Sequence, residues 1–446
     1  MVQYHAVIGN RDKIKRGGIP YPFWDFLDRQ PDGWLSSLTY APKVLPDDGR
    51  AFIFDCGAWS YKDKDIPDIS PASAAERYAE YAPDGAVVIA PDHMLIEGCD
   101  LAARRQFNRE SSVKFIDICP PQFEPMATIH GMDIDERLEQ AEYLVSVGYK
   151  HLALGGMAAR AAQKKHMIDT VRQVRSITPA VRLHVLGLSS PDYMRAWRML
   201  AVDSADGASH FKQAFTGGAF FMQDGVRLTK HQAYRPGEQC PPELPVCDCR
   251  ACDILRGDNI DTRSFGSNEN NMGRAAHNLN MLMRAQVAAT RLRVVLVACC
   301  GQKLDAPAPA KDLYRSRLFR LCRNYAELTA DKWLILSAKH GVIDPDAVIE
   351  PYDQTLSKFP KVERVKWDSL VSHQLSEFMG DEIVSLAGND YSRWMTSPFD
   401  IRRPMRGMGI GKQMQYLTRE IDDANDALLV GRDGQQYFAF GAAVER

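Results

Sequence analysis

Short apolar runs of strand length recur through the first part of the chain, at residues 4–8, 51–54, 86–89, 114–118, 126–129, 151–154 and 182–186. Helical stretches lie between several of them. In residues 133–147, Ile134, Leu138, Ala141 and Val145 fall on one helical face behind Asp133, an N-cap candidate. Two further helices are predicted after Ser70-Pro71 and Ser190-Pro191, where proline takes the first helical position. Strands alternating with helices imply a parallel sheet, closed or open.

Polar residues directly after the strands favour closure. Asp55, Asp92 and His130 each follow an apolar run, as do Gly155-Gly156 and Leu188-Ser189. In an eight-stranded α/β barrel such positions converge on one mouth, whereas an open doubly wound sheet gathers fewer of them. The predicted fold is therefore a (β/α)8 TIM barrel. Near residue 290 the pattern restarts, with a strand at Arg293–Ala298, a helix at 313–328 and a strand at 333–337. A strand at 382–386 and a helix beginning near Gln413 follow. The expected organisation is a barrel over residues 1–290 and a smaller α/β domain over 291–446.

Composition narrows the class. A content of 45% apolar and 25% charged residues is that of a globular chain, and no segment approaches the roughly 18 apolar residues of a membrane span. Residues 1–10 lack a basic stretch followed by an apolar run, so a cytoplasmic location is expected. The net charge of −2 excludes a globally basic protein. A nucleic-acid groove then needs local patches such as Arg160, Lys164, Lys165, Arg172 and Arg175, which can equally be a solvated helix face.

Ten cysteines are present, and their spacing suits metal chemistry better than disulfides. Cys247-Asp-Cys249-Arg-Ala-Cys252 puts three thiolates in one tight loop, and His277 follows in a helical stretch. Four such ligands close a tetrahedron around a structural Zn2+. The zinc-binding insert, about residues 236–280, would brace a Pro- and Gly-rich region that lacks its own apolar core.

Cys-x-Cys-x-x-Cys followed by His-Asn resembles the zinc signature of the tRNA-guanine transglycosylase superfamily. Further motifs agree in order. Phe54-Asp55-Cys56-Gly57-Ala58-Trp59 is similar to that family's Asp-Ser-Gly-Gly-aromatic motif, and Ile129-His130-Gly131 occupies the place of its Gln-Gly. Leu154-Gly155-Gly156 resembles its Gly-Gly loop, and Gly187-Leu-Ser-Ser-Pro191 its Gly-x-x-x-Pro segment. Val202-Asp203-Ser204-Ala205-Asp206 falls where the nucleophile motif is expected. Ala58 and His130 depart from the pattern, and no long basic segment follows Asp206. The Asp-Ser-x-Asp run and compact insert look more like the DpdA branch, which exchanges guanine for 7-deazaguanines in DNA and points to a bacterial or phage-encoded protein.

The resemblance implies a transglycosylase that inserts a 7-deazaguanine such as preQ0 into DNA, with tRNA as the alternative substrate. A non-catalytic nucleic-acid-binding module on a decayed barrel is the other alternative. A carboxylate that attacks C1′ and later leaves fits the reaction, which assigns the nucleophile to Asp206, or to Asp203 if the alignment carries a small gap. Asp55, with its pKa raised by burial, would protonate departing guanine and deprotonate the incoming base. Asp92 would accept from the base's N1–H and 2-amino group, and His130 and the Gly156 amide would donate to its 6-oxo group. Gly155 and Gly156 would let the backbone approach a flat base. Trp59 would stack on it, unless it is a core aromatic at the barrel mouth; His130 is alternatively structural.

The second domain resembles DUF6884, distantly similar to the YaaA group. The likeness rests on Cys300-Gly-Gln-Lys303, Asp312-Leu-Tyr314, Ser337-Ala-Lys-His-Gly341 and Pro351-Tyr-Asp353. Its fusion to the barrel points to DNA binding or recruitment of a helper protein. Arg402, Arg403, Arg406 and Lys412 surround a glycine-rich loop, 407–411, that is either a phosphate cradle or a plain turn.

Overall fold

A computed structural model describes residues 2–157, 162–235, 237–395 and 399–430. Arg160 of the basic patch, Pro236 of the insert and residues 431–446 of the second domain lie outside the described residues. The chain divides into two units, Met1–Thr290 and Arg291–Arg446. No helix among the described residues is long and apolar enough to cross a membrane.

Eight parallel strands close the first unit into a barrel: β1 (Gln3–Ile8), β2 (Gly33–Ser37), β3 (Ala51–Asp55), β4 (Val87–Ile89), β5 (Glu124–Ile129), β6 (His151–Leu154), β7 (Arg182–Val185) and β8 (Ser204–Gly207). β8 pairs with β1, so His5 lies opposite Asp206. Helices α1 (Pro71–Tyr81), α2 (Leu101–Ile118), α3 (Ile134–Val147), α4 (Lys164–Ile177), α5 (Pro191–Met199) and α6 (Ser209–Phe215) follow β3 to β8 in turn.

Alternation along each strand sorts side chains between two cores. Val7, Leu35, Ile53, Ile89, Met126 and Ala153 come from six strands yet form one small cluster, the interior of the barrel. Stepping by two along the strands from these positions reaches Asp55, Thr128, His130 and Gly155, the upper rim. The opposite face of the strands packs under the helices in a far larger cluster. One interior position must be empty of side chain: a Cβ on Gly33 would lie 2.3 Å from His5 Cε1 and 2.9 Å from the Ala51 carbonyl oxygen.

Three expectations change. Residues 114–118 are not a strand but the last turns of α2. Asp100 caps that helix, its carboxylate accepting from the Ala103 amide at 3.0 Å, and Phe115 is its buried anchor. Strands β2 and β8 were not anticipated, because Gly33, Ser36, Ser37, Ser204 and Asp206 interrupt any apolar run. The buried stripe of α3 is Arg137, Ala141 and Leu144, one residue away from the predicted face, and Val145 is exposed. Arg137 turns inward to donate to the Gly155 carbonyl at 2.9 Å.

The basic patch on α4 is largely spent in ion pairs. Lys164 pairs with Asp192, Arg172 with Asp169 and Arg175 with Asp203. Arg175 also donates to the carbonyls of Thr178 and Val181, so it fastens α4 to the loops below the barrel. That geometry favours the bland alternative over a nucleic-acid groove.

Past β8 the chain forms a hairpin, Ala219–Asp224 with Arg227–Gln232, then α7 (Arg250–Gly257) and α8 (Asn268–Thr290). The long helix α8 packs on α5, α6 and the hairpin. Asn278 on α8 accepts from the Phe221 amide at 2.9 Å and donates to the Ala219 carbonyl at 2.8 Å, which fixes the hairpin edge.

The second unit is an open five-stranded sheet. β9 (Arg293–Ala298) is central, with β10 (Lys332–Ser337) and antiparallel β11 (Gly341–Ile343) on one side. On the other side lie β12 (Glu382–Ser385) and β13 (Ile401–Arg402). The helix expected at 313–328 begins at Arg317, where Ser316 caps it by accepting from the Phe319 amide at 3.1 Å.

Gly33→Ala is expected to lower the barrel's melting temperature by overpacking, at a cost of about 1–3 kcal/mol. Unchanged melting would show that His5 can move aside.

Candidate active site and metal cluster

Strand parity decides which aspartate of the 203–206 run can reach the barrel mouth. Ser204 and Asp206 point inward, so Asp203, one residue before β8, points the other way. Its carboxylate accepts from Arg175 and from the Leu183 amide, each at 2.8 Å. Asp206 is buried, and its Oδ1 accepts from the Gly187 amide at 2.8 Å and faces His184 Nε2 at 3.2 Å. His184 is itself completely buried, with Nδ1 2.7 Å from Ser204 Oγ. For His184 to donate to the carboxylate, Nδ1 must accept from the serine hydroxyl, which fixes the tautomer. His5 meets the His184 ring edge-on at 5.9 Å. Burial, then His184, lowers the His5 pKa to about 3, so His5 stays neutral.

Asp55 ends β3, and Asp92 follows β4 in a loop. Ligand atoms of Asp55, Cys56 and Asp92 lie within 4.8 Å of one another. Loss of hydration, followed by the charge of Asp92, pushes the Asp55 pKa up to about 7. The charge of Asp206 raises it further, against a bond from the Gly57 amide that lowers it. Asp206 and Asp55, from strands on different sides of the barrel, are thus electrostatically coupled in one mouth.

Asp92 is tied more tightly than the sequence suggested. Its Oδ1 accepts from the Cys56 thiol at 2.9 Å, and its Oδ2 lies 2.5 Å from His130 Nε2. Tyr61 bonds the Cys56 carbonyl at 3.1 Å and its thiol at 3.4 Å. The two base-reading candidates therefore bond each other in this state, and an incoming base must compete for them. Gly155 makes room for this pair rather than for a ligand, since a Cβ there would meet Thr128 Cγ2 at 2.5 Å and His130 Cε1 at 3.0 Å. Gly156 adopts φ 69°, which turns the loop at the rim. Trp59 is 63% exposed, with Lys62 Nζ 5.6 Å from its ring centroid, so the core alternative for it fails.

His184, Ser204, Cys56 and the Gly187 amide were not identified from sequence. His184 carries a legible signal, as a polar residue on the inward phase of an apolar strand. The Gly187 amide carries none, because only the turn at φ 76° aims it.

Away from the mouth, Cys247, Cys249, Cys252 and His277 place their ligand atoms within 4.8 Å of one another. His277 Nδ1 is 3.4 Å from the Cys249 sulfur and 3.3 Å from that of Cys252. Its Nε2 donates to the Phe221 carbonyl at 2.6 Å, leaving the Nδ1 lone pair for the thiolates. The ring stacks on Phe220 at 3.9 Å. Among the described residues no fifth His, Cys, Asp or Glu joins this group, and three thiolates with a neutral imidazole suit a closed tetrahedral ion.

Residues 102–287 match the family model described as Queuine tRNA-ribosyltransferase, and residues 294–419 match DUF6884, a family of unknown function. The DNA-guanine transglycosylase of Salmonella montevideo is 26% identical over 189 residues, covering 38% of this chain and 43% of that protein. The queuine tRNA-ribosyltransferase of Solidesulfovibrio magneticus is 29% identical over 119 residues, covering 26% and 31%. The uncharacterized protein YfjM of Bacillus subtilis is 29% identical over 147 residues, covering 30% of this chain and 98% of that protein. The chain spans less than half the length of each of the two transglycosylases. It carries a domain of the Queuine tRNA-ribosyltransferase family, followed by a DUF6884 domain.

Proposed function

We propose that the barrel is a guanine transglycosylase that replaces guanine by a 7-deazaguanine in DNA, through a covalent bond between Asp206 and the sugar. The observation that carries this reading is the pairing of buried Asp206 with Asp55, whose pKa is raised to about 7. Base exchange needs a carboxylate that remains ionised beside one that can carry a proton. Similarity to a DNA-guanine transglycosylase over a longer stretch than to a tRNA enzyme favours DNA over tRNA.

In this mechanism the target nucleotide is flipped into the mouth, where exposed Trp59 can stack on it. Gly187 and His184 both engage Oδ1 of Asp206, so Oδ2 is the oxygen that attacks C1′. Protonated Asp55 gives its proton to departing guanine. The incoming base returns a proton to Asp55 as it displaces Asp206 from C1′. Asp92 and His130 exchange their mutual bond for bonds to the base edge, and Gly156 supplies the rim amide.

Cys247, Cys249, Cys252 and His277 would hold a structural Zn2+ that clamps α7 and α8 together behind the hairpin. Cys249→Ala is expected to lower zinc content and melting temperature together, whereas Asp206→Asn should alter neither. A full-strength, fully folded Cys249→Ala protein would contradict the clamp.

Labelled preQ0 offered with plasmid DNA or with bulk tRNA tests the substrate. Incorporation into DNA is expected, and incorporation into tRNA alone would overturn the reading. Asp206→Asn should reduce incorporation by about a thousandfold or more. Asp203→Asn, which removes the charge that pairs with Arg175, should lower stability and preserve exchange.

Guanine release begins from protonated Asp55, so its single-turnover rate should fall as pH rises through about 7, by about tenfold per pH unit above it. Asp55→Asn should be slow and lack this limb. A wild-type rate that is flat from pH 6 to 9 would remove Asp55 from the acid role.

A further inference from the structure

The four sequence motifs of the second unit that are scattered between residues 300 and 353 meet around one side chain, Tyr352. Its hydroxyl lies 2.7 Å from Tyr314 and 2.7 Å from Ser337, the buried last residue of β10. His340 packs edge-on against its ring at 5.4 Å. Lys303 Nζ stands 4.4 Å from the ring centroid and Lys339 Nζ 5.7 Å from it. Lys303 also lies 5.8 Å from the Tyr314 ring. Among the described residues neither ammonium has a carboxylate partner. Two cations that approach one aromatic ring repel each other, and an anion that reaches both relieves this.

This cluster sits at the carboxyl ends of β9 and β10, in an open sheet whose strand order reverses at β9. The chain leaves β9 through the helix Arg317–Thr329 to β10 on one side and returns later to β12 on the other side of β9, so the loops after β9 and β12 part at this switch point. A cavity of about 420 Å³ opens there, lined by Cys299, Phe319, Leu386, Tyr391, Met408 and Gly409 among others. Tyr391 joins it to the lysine cluster, bonding Cys299 Sγ at 3.0 Å and packing edge-on against Trp367, whose indole donates to the Ser337 carbonyl at 2.8 Å. Neither lysine lines this cavity, so a ligand that uses both features must reach from its apolar and aromatic walls to the ammonium groups, as a flat ring carrying a phosphate does.

We propose that the second unit holds a nucleotide site of its own, with the phosphate between Lys303 and Lys339 and the nucleoside in the crevice beside Tyr391. The shared chemistry is a nucleotide phosphate, supplied by a free mononucleotide or by the end of a strand.

Calorimetric titration of the full-length protein with AMP, GMP, CMP and UMP, the matching nucleosides, inorganic phosphate and a 5′-phosphorylated ten-nucleotide DNA strand tests it. Saturable binding of at least one mononucleotide or of the strand is expected, tenfold or more tighter than its nucleoside or phosphate alone. The two sources are distinguished by which of them binds. Lys303→Met combined with Lys339→Met should weaken binding at least tenfold. Gly409→Trp should weaken it as well, since a side chain there enters open space in the cavity. Circular dichroism melting verifies that both variants fold. Asp206→Asn should leave this binding unchanged, which separates it from the barrel's own reaction. Absence of binding, equal binding of inorganic phosphate, loss of the signal in Asp206→Asn, or indifference to both lysines would each overturn the proposal.

Discussion

Carboxylates crowd one desolvated barrel mouth, and their mutual repulsion is the constraint around which the site is built. Asp55, Asp92 and Asp206 cannot all carry bare charge there. The fold resolves the conflict by distributing donors unequally. Asp92 receives the Cys56 thiol and His130 Nε2, and Asp206 receives the Gly187 amide and His184. Asp55 is left with bonds too weak to offset burial and two negative neighbours, so its proton is held up to about pH 7. What sets Asp55 apart is burial beside two negative neighbours, which its bonds from Gly57 and Cys56 do not offset.

Those donors depend on geometry that begins at the backbone. His184 reaches Asp206 because β7 and β8 are adjacent and parallel, with His184 opposite Ser204 in register. His5 presses on His184 from β1, and it fits only because β2 offers glycine at position 33. A chain of contacts around the barrel wall therefore links a glycine on one strand to the carboxylate two strands away. Packing below the site and chemistry within it are one arrangement.

Legibility from sequence tracked apolar content. Strands with a continuous run of apolar residues could be read directly, as at Ala51–Asp55 and His151–Leu154. Ser204–Gly207 could not, because its inward polar residues, Ser204 and Asp206, erase its periodicity. Residues 114–118 misled for the opposite reason: Phe115, Ile116 and Ile118 make a short apolar run of strand length, while the Asp100 cap about four turns upstream commits the segment to a helix. The cysteines were legible because three thiols in six positions have few other uses. Pairings such as Asp92 with His130 were not, since they join loops 38 residues apart.

The cysteine cluster and the mouth share no residue, yet they are mechanically connected. Asn278 follows His277 in α8 and holds the hairpin edge, while Gln286, two turns further along, donates to the Ser189 carbonyl at 2.5 Å. Ser189 lies two residues beyond Gly187, whose amide fixes Asp206. A Cβ on Gly207, the residue after Asp206, would fall 2.1 Å from Ser189 Oγ, so this turn and β8 are in close contact. Displacing α8 would shift the turn that aims the Gly187 amide, and in the proposed reaction a small misplacement of the Asp206 oxygen would be costly to the rate. A metal clamp on α8 would thus act on catalysis through the stiffness of one helix, without approaching the substrate.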